Sequence, residues 1–343
     1  MAFIAGGATR DAFRLKAHDL ALAVLAILFA AFSVAWPGTG SLTAGGIAIP
    51  RGYLMAVVYL GIALLSLLVP LGSALYSERS RSRGIGIRGR ALAFLRTYYP
   101  QAFIALFFTD AILLSAQAMG GVSHDAFFEA ADQAIFGFQP AREFSRALGS
   151  RAWVNEVMFG VYFAYFPFMI TAVWIPYFKG NRAEGERQLF TVCATVAVVC
   201  TWYVFFRVQG PKYWLPDLKK SWYDGIEGGF FVALFKRSLA NATLSGAAFP
   251  STHVILTLTT LALAYRNDRR YFAVYLPIAA LILCSTVYIR AHWASDIIGG
   301  MLVACLLAPF FYRHYGGVDR LAARMSGSLR GRTGDALARA PRP

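Results

Sequence analysis

Long apolar runs constrain this chain more than any other feature. Eight of them lie along its 343 residues: Leu20 to Trp36, Tyr53 to Tyr76, Gln101 to Met119, Trp153 to Phe178, Leu189 to Val208, Thr252 to Tyr265, Phe272 to Tyr288 and Ala294 to Tyr312. Most approach the roughly 20 residues that cross a bilayer as helix. Inside hydrocarbon a segment must satisfy its own backbone hydrogen bonds, and the α-helix is the open-ended element that does so. The composition agrees, with 57% hydrophobic and 15% charged residues. The expected fold is therefore all-α, a polytopic membrane bundle of about eight transmembrane helices.

A net charge of +15 first reads as a nucleic-acid signal, but the cations are distributed by loop. Residues 1–17, 77–99, 179–188, 266–270 and the segment from Arg313 onward hold 22 Lys and Arg, whereas the alternate loops hold nine. Arg207 and Arg290 sit at span ends. This is the positive-inside pattern. It predicts a multi-pass cell-membrane protein with both termini cytoplasmic, no nucleic-acid partner, and "AAFPSTH" on the extracytoplasmic or lumenal face.

The first run follows Arg10, Arg14 and Lys16 as a signal peptide would, yet no small-residue cleavage pattern follows it, so an uncleaved helix is expected. Cys193, Cys200, Cys284 and Cys305 fall inside spans without ligand spacing, which indicates neither a disulfide framework nor a zinc site. "NAT" at Asn241 is an outward sequon. The basic loop "SERSRSRGIGIRGR" reads as a topology determinant. In "HDAFFEAADQAIFGF", Phe127, Phe128, Ala131, Ile135 and Phe136 mark one face of an interfacial helix, with Glu129 and Asp132 off that face. The segment from 316 has few apolar residues and is expected to be a solvated, disordered end.

Chemistry concentrates in two stretches, "FPSTH" and "STVYIRAHWASD". His253 and His292 both fall at outward span ends, so topology alone brings them to one leaflet. Asp296 lies four residues after His292, on the same helix face. A carboxylate that accepts the proton of one ring nitrogen exposes the lone pair of the other, which makes His292 a nucleophile or base. His253 lacks a neighbouring acid. It follows Ser251 at a helix start, where free N–H groups and the dipole favour an anion, so its expected role is acid. Arg207, Lys212 and Arg290 add cations suited, with Ser251, to a phosphate. Asp296 is the hardest to dismiss as ordinary, because an ionisable group inside a span costs free energy and usually has a partner.

These two motifs resemble the second and third motifs of the type 2 phosphatidic acid phosphatase (PAP2) superfamily, over roughly residues 189–313 and more loosely from about residue 100. The resemblance implies a six-helix core in which His292 attacks phosphorus, Asp296 orients it and His253 protonates the leaving group. Two departures stand out. The arginine that phosphatases place six residues before the nucleophile is replaced by Thr286, after Ser285, and the arginine sits at position 290 instead. "FRVQGPKYW" likewise has Gly210, Pro211 and Lys212 where the first motif carries Arg-Pro. Both are similar to the inositol phosphorylceramide synthase-like branch, which transfers a phosphorylated head group between lipids.

The expected organisation is a two-helix addition with its basic loop (1–99), a catalytic core (100–315) and a basic end (316–343). The expected activity is a metal-independent lipid phosphotransferase working through phosphohistidine, with no cofactor, a membrane phospholipid as donor and a lipid alcohol or water as acceptor. Water would make it a lipid phosphate phosphatase. The run from Ser251 to Tyr265 rises only about 22 Å against a core of roughly 30 Å, which favours lateral entry of a lipid. The outward loop of 212–247, rich in Trp, Phe and Lys, is placed to cover the site or merely to connect spans. Asp110, midway along its span, keeps open a transporter or scaffold that uses the same fold without chemistry. Vanadium-type haloperoxidases share the motifs but are not expected as integral lipid-facing proteins.

Overall fold

The computed structural model describes residues 14–38, 40–44, 47–79, 87–215, 225–240 and 245–339. In chain order its elements are α1 (Ala17–Ala35), a hairpin of β1 (Ser41–Ala44) and β2 (Ile47–Pro50), then α2 (Arg51–Arg79), α3 (Ile87–Tyr98) and a 3-10 turn (Tyr99–Phe103). They continue with α4 (Ile104–Ala118), α5 (Asp125–Phe136), α6 (Pro140–Leu148), α7 (Ala152–Ala172), α8 (Arg182–Phe205), α9 (Phe230–Ala240), α10 (Thr252–Asn267), α11 (Arg269–Tyr288) and α12 (Ala294–Arg339). The protein is an all-α multi-pass membrane bundle: among the described residues, seven helices are long and apolar enough to cross a bilayer. The eighth apolar run is α10, whose 16 residues rise about 24 Å, less than the hydrocarbon thickness.

Several expectations change in detail. The Trp153 to Phe178 run is not one helix. Pro176 has no N–H to bond the carbonyl four residues back, so α7 ends at Ala172 and a separate turn, Ile175–Phe178, follows. Residues 316–339 are helical where disorder was expected: α12 runs on to Arg339, with Tyr315, Ala322 and Ser326 buried. Arg14 Nη2 donates to Asp319 at 2.5 Å and Leu15 N to Ser326 Oγ at 2.9 Å, so polar ties stand in for the missing apolar surface. Asn241 and residues 80–86 of the basic loop lie outside the described residues, as does part of the 212–247 loop.

The chain divides into two compact units, Met1–Ile104 with Leu189–Ala197 and Phe310–Pro343, and Ala105–Gln188 with Val198–Pro309. In the first, α1 packs along α2, and Asp19 is buried at the start of α1. Its carboxylate accepts from Lys16 N at 2.8 Å, from Arg96 at 2.8 and 2.6 Å and from Tyr99 OH at 2.9 Å. A buried charge so fully hydrogen-bonded is tolerable, whereas losing one partner typically costs about 3–5 kcal/mol.

In the second unit α10, α11 and α7 pack together, with α6 against α11 and α9 against α7. One residue separates α10 from α11. Asp268, extended at φ −157°, ends the first helix and caps the second, accepting from Arg270 N at 2.8 Å and Tyr271 N at 3.1 Å. Its hydrogen bond from Lys179, together with those backbone donors, holds the carboxyl down at about 2. α12 approaches the start of α10 through Gly299 and Gly300. A Cβ on Gly299 would lie 2.3 Å from the Phe249 ring, and one on Gly300 would lie 2.8 Å from Val254.

Candidate active site

The second unit gathers its polar chemistry where α11 ends, α10 starts and α12 starts. The C-terminus of α11 forms a Schellman turn: Arg290 N donates to Val287 O at 2.9 Å and Ala291 N to Thr286 O at 3.1 Å. His292 N shares the Thr286 carbonyl, also at 3.1 Å. The left-handed position of that turn is usually glycine, but here Arg290 occupies it with φ 61°. Thr286 and Ser285 return their hydroxyls to their own helix, at 2.7 Å to Leu283 O and 2.7 Å to Ile282 O. The position that departs from the phosphatase pattern thus supplies a carbonyl that shapes the His292 loop.

His292 is buried, and its Nδ1 lies 2.8 Å from Ala248 O and 3.5 Å from Asp296 Oδ2. A carbonyl can only accept, so Nδ1 carries the hydrogen and Nε2 holds the lone pair. The pairing inferred from spacing is present, but the shorter bond is to the backbone oxygen of the residue just before "FPSTH". Sequence spacing had no signal for that acceptor. Burial, moderated by the Ala248 bond and reinforced by the Lys212 charge, pushes the imidazole down to about 4. Asp296 Oδ2 also accepts from Trp293 N at 2.9 Å, and Asp296 Oδ1 is buried with no hydrogen-bond partner among the described residues.

His253 stands opposite, its ring edge-to-face with that of His292 at a centroid distance of 5.6 Å. Both of its ring nitrogens are buried without a hydrogen-bond partner among the described residues. Ser251 is the N-cap of α10, its Oγ accepting from Val254 N at 3.4 Å. The hydroxyl is therefore engaged in capping, and what the helix start offers an anion is its dipole and first-turn N–H groups.

Lys212 joins the pair. Its N–H donates to Arg290 O at 3.0 Å, and its ammonium lies over the rings of Tyr213 at 4.8 Å and Phe235 at 5.9 Å. Its charge acts on both histidines, and withdrawal from water pushes its own ammonium down to about 8. Gly210 makes the approach possible: at φ 87° it sits where a Cβ would be 2.4 Å from Ala291 O.

The other two cations are engaged elsewhere. Arg290 Nε donates to Ser145 Oγ of α6 at 2.8 Å. Arg207 donates to Gly121 O at 3.5 Å and to Ser245 O and Oγ at 3.4 and 3.3 Å. The structure thus brings His253, His292, Asp296 and Lys212 together, and turns Arg207 toward Gly121 and Ser245 and Arg290 toward Ser145.

Two carboxylates absent from the sequence-derived set brace the site. Asp125, Phe128 and Asp132 form the buried face of α5, while Phe127, Ile135 and Phe136 are exposed. The helix is amphipathic as expected, but Phe128 turns inward with the acids. Asp125 accepts from Gln209 N at 2.7 Å, Gly210 N at 2.8 Å and Trp293 Nε1 at 3.0 Å. Asp132 accepts from Ala294 N at 2.9 Å and Ser295 N at 2.8 Å, capping α12 from another helix. Their i, i+7 spacing was legible, but acids on a helix facing an interface ordinarily read as solvated.

Among the described residues no group of three or more His, Cys, Asp or Glu stands so as to hold a metal ion. Asp110, the residue behind the transporter reading, is buried in α4. A family model described as the PAP2 superfamily matches residues 130–310, more than half of the chain. Neither a curated protein nor a solved structure matches it.

Proposed function

Since the chain belongs to the PAP2 superfamily, whose members are typically phosphatases or phosphotransferases, we propose that it is an enzyme that moves a phosphorylated head group between membrane lipids, with His292 as nucleophile and His253 as acid and base. The observation that carries this is the edge-to-face pair of His253 and His292, one ring fixed by Ala248 O and the other with both nitrogens unpaired among the described residues, beside the Lys212 ammonium.

In the first step the Nε2 lone pair of His292 forms a bond to phosphorus while the bond to the donor's alcohol oxygen breaks. Imidazolium His253 gives that oxygen its proton. The phosphorylated ring of His292 is cationic, and Asp296 at 3.5 Å balances it. In the second step neutral His253 takes a proton from the acceptor hydroxyl, whose oxygen bonds phosphorus as the N–P bond breaks. Lys212 and the α10 start hold the phosphoryl oxygens throughout. Arg290 and Arg207 would contribute charge from the walls, and Ser251 through its cap. No metal or cofactor is expected in these steps.

The lipid acceptor follows from the Thr286 and Lys212 departures, which are similar to the inositol phosphorylceramide synthase-like branch. α10 supports it as well: a helix of about 24 Å that begins at the site is consistent with a donor arriving laterally from the leaflet. The charge pattern favours an extracytoplasmic or lumenal site.

The test uses purified full-length protein in detergent, a panel of phospholipids and either ceramide, diacylglycerol or no acceptor, with new phospholipid read against free phosphate. New phospholipid supports transfer; free phosphate alone would make water the acceptor. His292→Ala should abolish turnover and acid-labile phosphate on the protein. His253→Ala should slow an alkyl leaving group on the order of 10²-fold while sparing an activated aryl phosphate. Asp296→Asn should fold and lose most activity. Phosphate trapped on His253, or turnover by His292→Ala, overturns these assignments.

A further inference from the structure

His253 is oriented by something other than hydrogen bonding. The nucleophile has Ala248 O and Asp296 to fix its ring, but no polar atom among the described residues fixes His253. Its ring meets two tyrosines instead. Tyr162 stacks on it with centroids 4.5 Å apart and planes 23° apart, and Tyr165 lies at 4.5 Å and 41°. The two tyrosines are i and i+3 on α7, one face of one helix. Tyr162 is braced in turn by Phe235 of α9 at 5.9 Å, a ring that also contacts the Lys212 ammonium. α9 is seated on α7 through Glu156, which accepts from Gly229 N and Phe231 N at 2.7 Å each.

We infer that Tyr162 and Tyr165 are positioning residues that hold the His253 imidazole by ring packing, in place of the carboxylate or carbonyl that would orient such a ring elsewhere. This rests on the phosphotransfer reading. A hydrogen-bonding orienter would occupy one nitrogen and fix one tautomer. Ring packing fixes the plane of the imidazole and leaves the reacting nitrogen free to donate to one alcohol oxygen and then accept from another. The rings, not their hydroxyls, carry the role.

The test compares Tyr162→Phe, Tyr165→Phe, Tyr162→Leu and Tyr165→Leu in the full-length protein. Two substrates are used: phosphatidic acid, with an alkyl leaving group, and 4-nitrophenyl phosphate, whose leaving group needs no proton. The Phe variants should keep most of the turnover of both. The Leu variants should lose about 10-fold or more with phosphatidic acid and little with the aryl ester, the signature of a weakened general acid. Equal loss on both substrates would show a merely structural role, and Phe variants as poor as Leu would assign the function to the hydroxyls; either overturns the inference. A second readout needs no turnover: ring-current shifts of the His253 imidazole in histidine-labelled NMR spectra, kept in the Phe variants and lost in the Leu variants. Absence of those shifts in wild type refutes the clamp whatever the reaction is. Shifts present in a wild type that turns over neither of these substrates nor any donor and acceptor of the panel above would instead overturn the phosphotransfer reading, and with it the catalytic half of the inference.

Discussion

Arg290 holds a backbone conformation that L-residues avoid, at a cost of about 1–2 kcal/mol where glycine would cost nothing. Its Nε bond to Ser145 and its carbonyl bond from Lys212 N are what that strain maintains. Arg290→Gly should relax the turn and forfeit a buried hydrogen bond of comparable size, ~1–2 kcal/mol. Thermal unfolding should therefore stay near wild type while turnover falls at least about 10-fold. Arg290→Val adds β-branching in the left-handed region and should lower the midpoint clearly. At the same scale, the proposed mechanism requires His292 neutral to attack and Lys212 charged to bind. His292, pushed down to about 4, loses its lone pair as pH falls through that value. Lys212, pushed down to about 8, loses its charge as pH rises through that value. With 4-nitrophenyl phosphate, whose leaving group needs no proton from His253, a pH profile of kcat/KM should be bell-shaped with limbs near those two values, and Lys212→Arg should move the alkaline limb upward. An alkaline limb that stays in place would count against Lys212.

Among the elements, α5 contributes most that spacing did not reveal. Its exposed Phe127 and Ile135 suit a membrane interface, and its buried Asp125 and Asp132 hold the backbone at Gln209 and Gly210 and at Ala294 and Ser295. Asp132→Ala would leave the Ala294 and Ser295 N–H groups buried without acceptors, at about 1–3 kcal/mol each. It should lower the unfolding midpoint and, because α12 begins two residues after His292, reduce kcat more than it raises KM. Asp132→Asn keeps one acceptor oxygen and should lie between. Differential scanning of the purified variants with parallel turnover assays separates the two effects; an Asp132→Ala variant with wild-type stability would show that the cap is dispensable.

For the whole molecule, sidedness is the consequence of charge. With 22 cations in one set of loops against nine in the other, tags at the C-terminus and within residues 77–99 should be reached only from the cytoplasm. Labelling of either in intact cells from outside would reverse the assignment and place the histidine pair on the inner leaflet.

Patterns local along the chain were readable from composition and spacing. The apolar runs are largely helical because backbone hydrogen bonds in lipid leave few alternatives, and His292 could be paired with Asp296 from their spacing, although His292 itself lies two residues before α12. Contacts between distant segments had no such signature. Ala248 O reached His292 Nδ1 only because Gly299 and Gly300 let α12 close on the start of α10. Arg207 and Arg290 looked equivalent to Lys212 as charges, yet packing directed them to Ser245 and Ser145. Tyr162 and Tyr165 looked like ordinary residues of an apolar helix until α7 set them against His253. A side chain's partner depends on which helices meet at what distance, and helical periodicity is silent on that.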